Sequence, residues 1–253
     1  MAKDAIKEMI LLKKGKKMIN TILFDLDGTL LPMDQGEFMD SYLFHMANHL
    51  TKANKNPKKV IQDLFIGTEA MIKNNGTMTN EERFFQTFFR QGHEKDMIKV
   101  FEAFYEKSFD HVRQATKPKA EAASIVHHLK MKGYRLILAT NPIFPAIATN
   151  KRIEWAGLKQ ADFDLITTME NAGYCKPNLE YFKYILNKTG VDASQCMMVG
   201  NDRLEDMCAK NLGILTYLLD DCAISKGEQD IEPDFKGNFN QLIAFVEGLP
   251  TIP

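Results

Sequence analysis

Two aspartates at the end of a short apolar run are the residues in this sequence best placed to do chemistry. Asp25 and Asp27 follow the run Thr-Ile-Leu-Phe at 21–24, and Gly28 comes directly after them. Such a run is typical of a buried strand whose end delivers both carboxylates to the carboxyl edge of a sheet, where α/β proteins bind ligands. Because two carboxylates this close require a cation or a shared proton, the pair predicts a site that handles charge.

Further polar residues follow two later predicted strands or precede a predicted helix, and they complete a candidate site. They are Thr140 and Asn141 after the run 135–139, Lys176 before a helix, Asp202 after the run 197–199, and Asp206 four residues beyond it. A spacing of four allows the last two carboxylates to face one site. The set contains carboxylates, a hydroxyl donor, a cation and oxygen ligands for a metal ion, which favours phosphoryl transfer over acyl transfer.

Electrostatic repulsion explains why phosphoryl transfer would need every member of this set. A carboxylate about 4 Å from a phosphate dianion meets about 8 kcal/mol of repulsion at an effective dielectric constant of about 20. A magnesium ion on Asp25 and Asp202, with Lys176 beside the phosphate, would offset that repulsion. The Thr140 hydroxyl can bind phosphoryl oxygens, and Asp27 can protonate a leaving alkoxide and then deprotonate an attacking water.

The elements that would position these residues fall into two sequence patterns. Apolar residues recur at helical spacing through 34–115, which predicts several helices between the first strand and the next. From Pro118 onward helices alternate with strands, the signature of a parallel sheet covered on both faces. Crossovers normally use a single helix. We therefore expect an α/β, Rossmann-like three-layer core with a mostly parallel sheet at 18–33 and 116–253, and an inserted all-helical cap at 34–115.

The bulk composition narrows the partners of the 253-residue chain. A formal net charge of −1 gives no electrostatic reason to expect nucleic acid or an anionic membrane. No apolar run approaches the roughly 20 residues of a membrane span. The four cysteines lack metal-type pairing, which indicates reduced thiols in a cytoplasmic protein. Residues 1–17 are predicted to be a basic extension, and we expect a monomer or weak dimer that acts on a small phosphorylated molecule.

The candidate residues resemble the four ordered motifs of the haloacid dehalogenase-like (HAD) superfamily, and the resemblance covers the chain from Met18 onward. The matching segments are Asp25-Leu26-Asp27-Gly28-Thr29, Thr140, Lys176-Pro177, and Gly200-Asn201-Asp202 with Asp206. Many members place an aspartate directly after the glycine of the fourth motif, whereas Asn201 stands there in this chain.

The resemblance implies a role for each matched residue. Asp25 would be the nucleophile that forms an aspartyl-phosphate, Asp27 the general acid and base, Thr140 a phosphate ligand and Lys176 the stabiliser of charge. Asn141 is expected to bind substrate beside Thr140 and Lys176. The magnesium ligands would be Asp25, Asp202 and the backbone carbonyl of Asp27, with Asp206 as an outer ligand or the partner of Lys176. The division of roles among Asp202, Glu205 and Asp206 stays open.

These features predict a magnesium-dependent phosphatase that hydrolyses a small phosphomonoester through an aspartyl-phosphate, under a cap that excludes water. A phosphomutase or a phosphonate hydrolase would use the same core, and a non-catalytic protein that binds a phosphate ligand is a further alternative. Dehalogenation is disfavoured because it gives Asp27 no task. A response-regulator receiver is disfavoured because receivers lack the inserted helices.

Two other patterns lie within the predicted cap. His45 and His49 have the spacing of a helical metal pair but no acidic partner motif, which is more typical of a surface helix. Four phenylalanines form a cluster that we interpret as cap core with one face available to line a pocket: Phe84, Phe85, Phe88 and Phe89.

Overall fold

The computed structural model describes residues 18–252, so the extension predicted for residues 1–17 lies outside it. The strands are β1 (Thr21–Phe24), β2 (Arg135–Leu138), β3 (Leu165–Ile166), β4 (Cys196–Gly200), β5 (Leu215–Leu219) and β6 (Phe235–Gly237). They form one sheet in the order β3-β2-β1-β4-β5-β6, and every neighbouring pair is parallel. The predicted α/β class is confirmed, and the sheet is wholly rather than mostly parallel.

The central position of β1 follows from its composition. All four of its residues are buried, as expected for a strand with a layer on each face. Alternate residues point to opposite faces, so Leu23 packs with Tyr181 and Phe182 on one side, while Ile22 and Phe24 belong to the cluster on the other side. The three-layer core therefore has β1 at its middle.

The helices complete the layers and make up most of the long connection after β1. They are α1 (Gln35–Lys52), α2 (Pro57–Ile72), α3 (Asn80–Arg90), α4 (Asp96–Ala103), α5 (Ala120–Met131), α6 (Ala146–Trp155), α7 (Leu179–Thr189) and α8 (Phe239–Gly248). We refer to residues 35–115 as the helical segment. Its boundaries as a separate domain stay a prediction. Among the described residues, none of the helices is both long and apolar enough to cross a membrane.

Thr79 and Glu82 have the sequence spacing of a capping box, and they form one at the start of α3. The Glu82 N–H donates to Thr79 Oγ1 over 3.2 Å, and the Thr79 N–H donates to Glu82 Oε2 over 2.8 Å. Two N–H groups that the first turn of the helix leaves without intrahelical partners are thereby satisfied.

Two predicted α-helices take other forms. The helix predicted through Val100 to Phe109 ends at Ala103 and continues as a π-helical turn over 104–108 and a 3₁₀-helix over 109–115. The helix predicted through Asp206 and Cys208 is a 3₁₀-helix, Met207–Leu212. The first of these departures keeps three aromatic side chains inside the protein, those of Phe104, Tyr105 and Phe109.

The helical segment leaves and rejoins the sheet through adjacent pieces of chain. Met33 and Thr116 form an antiparallel bridge, and the Lys117 N–H donates to the Pro32 carbonyl over 2.7 Å. The two ends of an insertion of about eighty residues are therefore fixed side by side.

Aromatic packing joins the helical segment to the core. Phe109 is fully buried, and its ring stacks on that of Trp155 in α6 at 5.0 Å between centroids. The same ring meets Phe38 of α1 edge-on at 6.5 Å and Phe144 at 6.4 Å. One continuous cluster of buried apolar side chains therefore spans both parts of the protein.

Truncation of the Phe109 side chain should destabilise the protein strongly. We expect Phe109→Ala to lower the free energy of unfolding by about 3–5 kcal/mol, because it removes a buried ring and leaves a cavity. Phe44→Ala is the matched control, since Phe44 lies on α1 but is 62% exposed, and it should change stability by less than about 0.5 kcal/mol. Urea unfolding followed by circular dichroism measures both, and equal effects would contradict the packing described here.

Candidate active site

The structure brings every predicted site residue to one cavity of about 240 Å³ at the carboxyl edge of the sheet. Its lining includes Asp25, Asp27, Thr140, Asn141, Lys176, Asp202 and Asp206. The register explains the convergence, since Phe24 of β1 pairs with Leu138 of β2 on one side and Val199 of β4 on the other. The three strands end at the same level, so the loops that follow them meet.

Lys176 lies between two carboxylates at the base of the cavity. Its Nζ is 2.9 Å from Asp25 Oδ1 and 2.6 Å from Asp206 Oδ1, and all three side chains are buried. Burial lowers the pKa of Lys176, but the carboxylates of Asp206 and Asp25 raise it further, to well above its usual value. The ammonium therefore stays charged at neutral pH and can face the charge of a phosphoryl group.

Asp206 and Gly200 are packed so closely that the glycine is required. A Cβ at Gly200 would lie 2.2 Å from Asp206 Oδ2, the oxygen that accepts from the Asp202 N–H over 3.0 Å. The N–H groups of Leu204 and Glu205 both donate to Asp202 Oδ1 over 2.8 Å. The Asp202 side chain thereby caps the turn that leads into the 3₁₀-helix Met207–Leu212.

Asp27 is paired with an arginine that the sequence analysis did not identify. Its Oδ2 accepts from Nη1 of Arg152 on α6, and the arginine side chain is fully buried. The other oxygen, Asp27 Oδ1, is buried and has no hydrogen-bond partner among the described residues. Burial raises the pKa of the Asp27 carboxyl above its usual value although Arg152 lowers it. The geometry therefore favours a carboxyl group that can hold a proton on its free oxygen.

Arg152 is in turn held by its own helix and by an aromatic ring. Its guanidinium carbon lies 4.3 Å above the ring centroid of Phe144, a cation–π contact. Its Nε donates to the Ala148 carbonyl and its Nη2 to Thr149 Oγ1, both over 3.3 Å. The guanidinium is thus a fixed partner for Asp27.

Thr29 and Asn201 connect the loop after β1 to the loop after β4. Thr29 Oγ1 lies 3.1 Å from both Asp25 Oδ2 and Asn201 Oδ1, and Asn201 Nδ2 donates to the Cys222 carbonyl over 2.7 Å. Gly28 has a φ of +85°, and a Cβ there would lie 2.4 Å from Asn201 Nδ2. The asparagine that interrupts the fourth motif therefore braces the loop after β1 that carries Asp25 and Asp27.

Thr140 and Asn141 follow β2 and line the cavity, with hydrogen bonds that fix their backbone or side chain. The Thr140 carbonyl accepts from Tyr181 Oη over 2.9 Å. Asn141 Oδ1 accepts from the Lys176 N–H over 3.2 Å, and its Nδ2 donates to Glu205 Oε2 over 2.9 Å. Asn141 orients the lysine loop, and its predicted contact with substrate stays a prediction.

Asp202, Glu205 and Asp206, whose roles the sequence leaves open, each contact a different partner. Asp206 is the partner of Lys176, Glu205 is the partner of Asn141, and Asp202 presents Oδ2 to the cavity, 3.7 Å from Lys226 Nζ. Lys226 was not identified from the sequence, and its loop meets the fourth motif through the bond from the Ile224 N–H to the Asn201 carbonyl, 2.8 Å.

The donor chemistry at this edge fits a magnesium ion. Asp25 and Asp202 are buried carboxylates that line the same cavity, and Mg²⁺ prefers one or two carboxylates together with carbonyl, water or phosphate oxygens. Within residues 18–252 no three acidic, histidine or cysteine side chains converge on a point that could hold a metal. The Asp27 side chain is turned to Arg152, so its backbone carbonyl is the group of that residue left for the proposed metal site.

The chain belongs to the haloacid dehalogenase-like hydrolase family, whose model matches residues 19–213. The protein is therefore a hydrolase of this family.

Individual relatives agree with that assignment. The chain is 27% identical over 202 residues to the pyrophosphatase PpaX of Bacillus velezensis. The aligned region covers 79% of this chain and 82% of that protein. It is 28% identical over 114 residues to a glyceraldehyde 3-phosphate phosphatase of Methanothermobacter thermautotrophicus, over 45% of this chain and 49% of that protein. The structure of a HAD phosphatase from Thermococcus onnurineus superposes with a TM-score of 0.60 at 16% identity, covering 92% and 100% of the two chains, which shows a shared fold.

Removal of the central cation should cost far more stability than removal of a surface cation. We expect Lys176→Met to lower the free energy of unfolding by about 3–5 kcal/mol at pH 7.5 without metal, because Asp25 and Asp206 are left buried without their cation. In the control Lys183→Met, the lost pair with Glu180 is half exposed and should be worth less than about 1 kcal/mol. Urea titration measures both, and a Lys176→Met protein as stable as the control would refute the pairing.

Proposed function

We propose that this chain is a magnesium-dependent phosphatase that hydrolyses a small phosphomonoester through an aspartyl-phosphate on Asp25. The observation that carries the proposal is the arrangement of two neighbouring aspartates with opposite environments in one cavity. Asp25 is bound to the Lys176 ammonium, whereas Asp27 has a buried free oxygen and a raised pKa. Such a difference separates a nucleophile from an acid and base.

The first half of the reaction transfers the phosphoryl group to the protein. A carboxylate oxygen of Asp25 attacks phosphorus, the bond from phosphorus to the ester oxygen breaks, and Asp27 gives its proton to the leaving alkoxide. Lys176 offsets the negative charge that accumulates on the phosphoryl oxygens. The Thr140 hydroxyl is proposed to bind one of those oxygens.

The second half regenerates both carboxyl groups. Asp27, now a carboxylate beside Arg152, takes a proton from a water that attacks phosphorus, and the bond from phosphorus to Asp25 breaks. Inorganic phosphate leaves, Asp25 is again a carboxylate, and Asp27 again holds a proton. Arg152 keeps the Asp27 carboxylate oriented toward the cavity while it is charged.

Magnesium would be held by Asp25, Asp202 and the Asp27 carbonyl, and when bound it supplies positive charge that lowers the repulsion between carboxylate and phosphate. The relatives named as a pyrophosphatase and a glyceraldehyde 3-phosphate phosphatase support a phosphate compound as substrate. A cytoplasmic location, a monomer or weak dimer, and the lack of nucleic-acid or membrane partners stay predictions.

The two aspartates should be needed for different steps. With a panel of small phosphomonoesters and magnesium, we expect Asp25→Asn to lower phosphate release at least about 1,000-fold. Asp27→Asn should lower it about 100- to 10,000-fold, because the proton transfers are lost. Excess chelator should stop release by the wild type, and added magnesium should restore it.

Asp40→Asn is the matched control for these substitutions, since Asp40 is an exposed aspartate on α1. It should leave phosphate release within about twofold of the wild type. Metal-dependent release that persists in the Asp25→Asn protein would overturn the proposal.

Loss of the Arg152 guanidinium should slow turnover more than it weakens substrate binding. We expect Arg152→Met to lower kcat about 10- to 100-fold with KM changed less than about threefold, because the Asp27 carboxylate loses its fixed partner. Arg152→Lys should recover part of kcat by restoring the charge without the planar fork.

Arg135→Met removes an arginine from an exposed ion pair with Asp164 and serves as the control. Steady-state kinetics, with circular dichroism to confirm folding, gives both constants. A rise in KM at constant kcat would show that Arg152 acts on substrate binding instead.

A further inference from the structure

A second cavity of about 380 Å³ lies between the helical segment and the core, beside the catalytic cavity. The two cavities share three lining residues, Met39, Ile143 and Phe144. Its volume is within the roughly 300–1,000 Å³ of sites that hold small ligands. A molecule whose phosphate occupies the catalytic cavity would therefore extend toward this second one.

Aromatic rings form much of the wall of the second cavity. They come from α1 to α4, the turn after α4 and the loop before α6, and are Tyr42, Phe65, Phe84, Phe85, Phe101, Tyr105 and Phe144. This confirms that one face of the predicted phenylalanine cluster lines a pocket, while Phe88 is fully buried. The wall suits an apolar group, and ring faces also attract organic cations.

Four glutamates accompany the rings. Glu81 and Glu170 are half-buried in the wall, and Glu102 and Glu106 are exposed at the mouth. None of the four forms an ion pair with a residue in the described part of the chain. The neighbouring Lys151 binds Asp110 over 2.7 Å and the Glu106 backbone carbonyl over 2.8 Å. The cavity is therefore an apolar space bordered by four carboxyl groups without an ion-pair partner among residues 18–252.

One of these carboxylates has an oxygen that lacks a partner. Glu170 Oε1 accepts from the Ala146 N–H over 2.8 Å, but Glu170 Oε2 is buried and makes no hydrogen bond to any described residue. An unsatisfied buried acceptor of this kind costs stability, and it leaves the negative charge of Glu170 beside the cavity without a compensating donor.

Glu81 lies close to several other carboxylates, which adds to the negative charge around the cavity. Burial, followed by repulsion from Glu170, Glu82 and Glu102, raises the pKa of the Glu81 carboxyl above its usual value. The carboxylates do not converge as metal ligands would, since within residues 18–252 no three such groups could hold one ion. A dispersed arrangement of carboxylates and rings matches an organic ammonium group better than a metal ion.

We propose that the second cavity binds the leaving group of a phosphomonoester whose alcohol has an apolar body and an ammonium end. This assignment rests on the proposed phosphatase function and adds the class of substrate. The products would be the amino alcohol and inorganic phosphate. The ring faces would contact the apolar body and the ammonium, Glu81 would accept its hydrogen bonds, and Glu170 would add negative charge.

Three substrates with the same reacting centre test the assignment, and they are the benzyl phosphates with a 4-aminomethyl, a 4-methyl or a 4-carboxy group. For the wild type we expect kcat/KM to be at least about tenfold higher for the amine than for the methyl compound, and lowest for the carboxylate. In a Glu81→Gln, Glu170→Gln double variant, the ratio of kcat/KM for the amine to kcat/KM for the methyl compound should fall to near one. The Glu170→Gln substitution keeps a side-chain oxygen that can still accept from the Ala146 N–H, so it removes the charge and not the local hydrogen bond.

Glu94→Gln is the control, because Glu94 is exposed and does not line the cavity, and it should keep the preference for the amine. Calorimetric titration with 4-(aminomethyl)benzyl alcohol separates binding from catalysis, and the double variant should bind this product at least tenfold more weakly. Hydrolysis of all three esters without preference would overturn the pocket assignment alone. Binding of the alcohol without hydrolysis of any ester would overturn the phosphatase proposal instead.

Discussion

The ammonium of Lys176 makes the rest of this site physically possible. Three charged groups, Asp25, Asp206 and Lys176, are removed from water together, and burial of any carboxylate among them without its cation would be strongly unfavourable. The contacts also join the end of β1 to the loop before α7 and the loop after β4. Charge neutralisation therefore fixes three segments that are far apart in sequence into one geometry, and that geometry places Asp27 and Asp202 in the same cavity.

A second ion pair determines the difference between the two aspartates. Asp25 contacts the ammonium of Lys176, while Asp27 contacts an arginine whose guanidinium packs on Phe144. Because Arg152 binds only one oxygen of Asp27, the other oxygen remains available for a proton. Two side chains of the same type thus have different surroundings, and the ring of Phe144 lines both this cavity and the second one.

The predictable part of the site consists of residues at the ends of strands, because a buried apolar run that ends in polar residues is a local pattern. Thr140 and Asp202 were predicted in this way, and Lys176 was predicted from its place directly before a helix. Arg152 lies 125 positions from Asp27, and the one sequence signal for it is a charged residue on the buried stripe of α6, among Ala148, Thr149 and Ile153. Strand β6 was missed because its three residues include an exposed lysine and a glycine, which leaves no alternation to detect. The 3₁₀ form of Met207–Leu212 was not predicted, because apolar spacing over six residues does not distinguish a 3₁₀-helix from an α-helix.

The bridge between Met33 and Thr116 has a consequence for how such a protein diversifies. The chain leaves the core at Met33 and returns at Thr116, which is its bridge partner. The helical segment is therefore a loop whose two ends are fixed side by side, and we call this bridge its base. The helices between the two ends of that base can therefore differ in number and length without moving the points at which the chain leaves and re-enters the core, provided that the aromatic contact of Phe109 with Trp155 is kept.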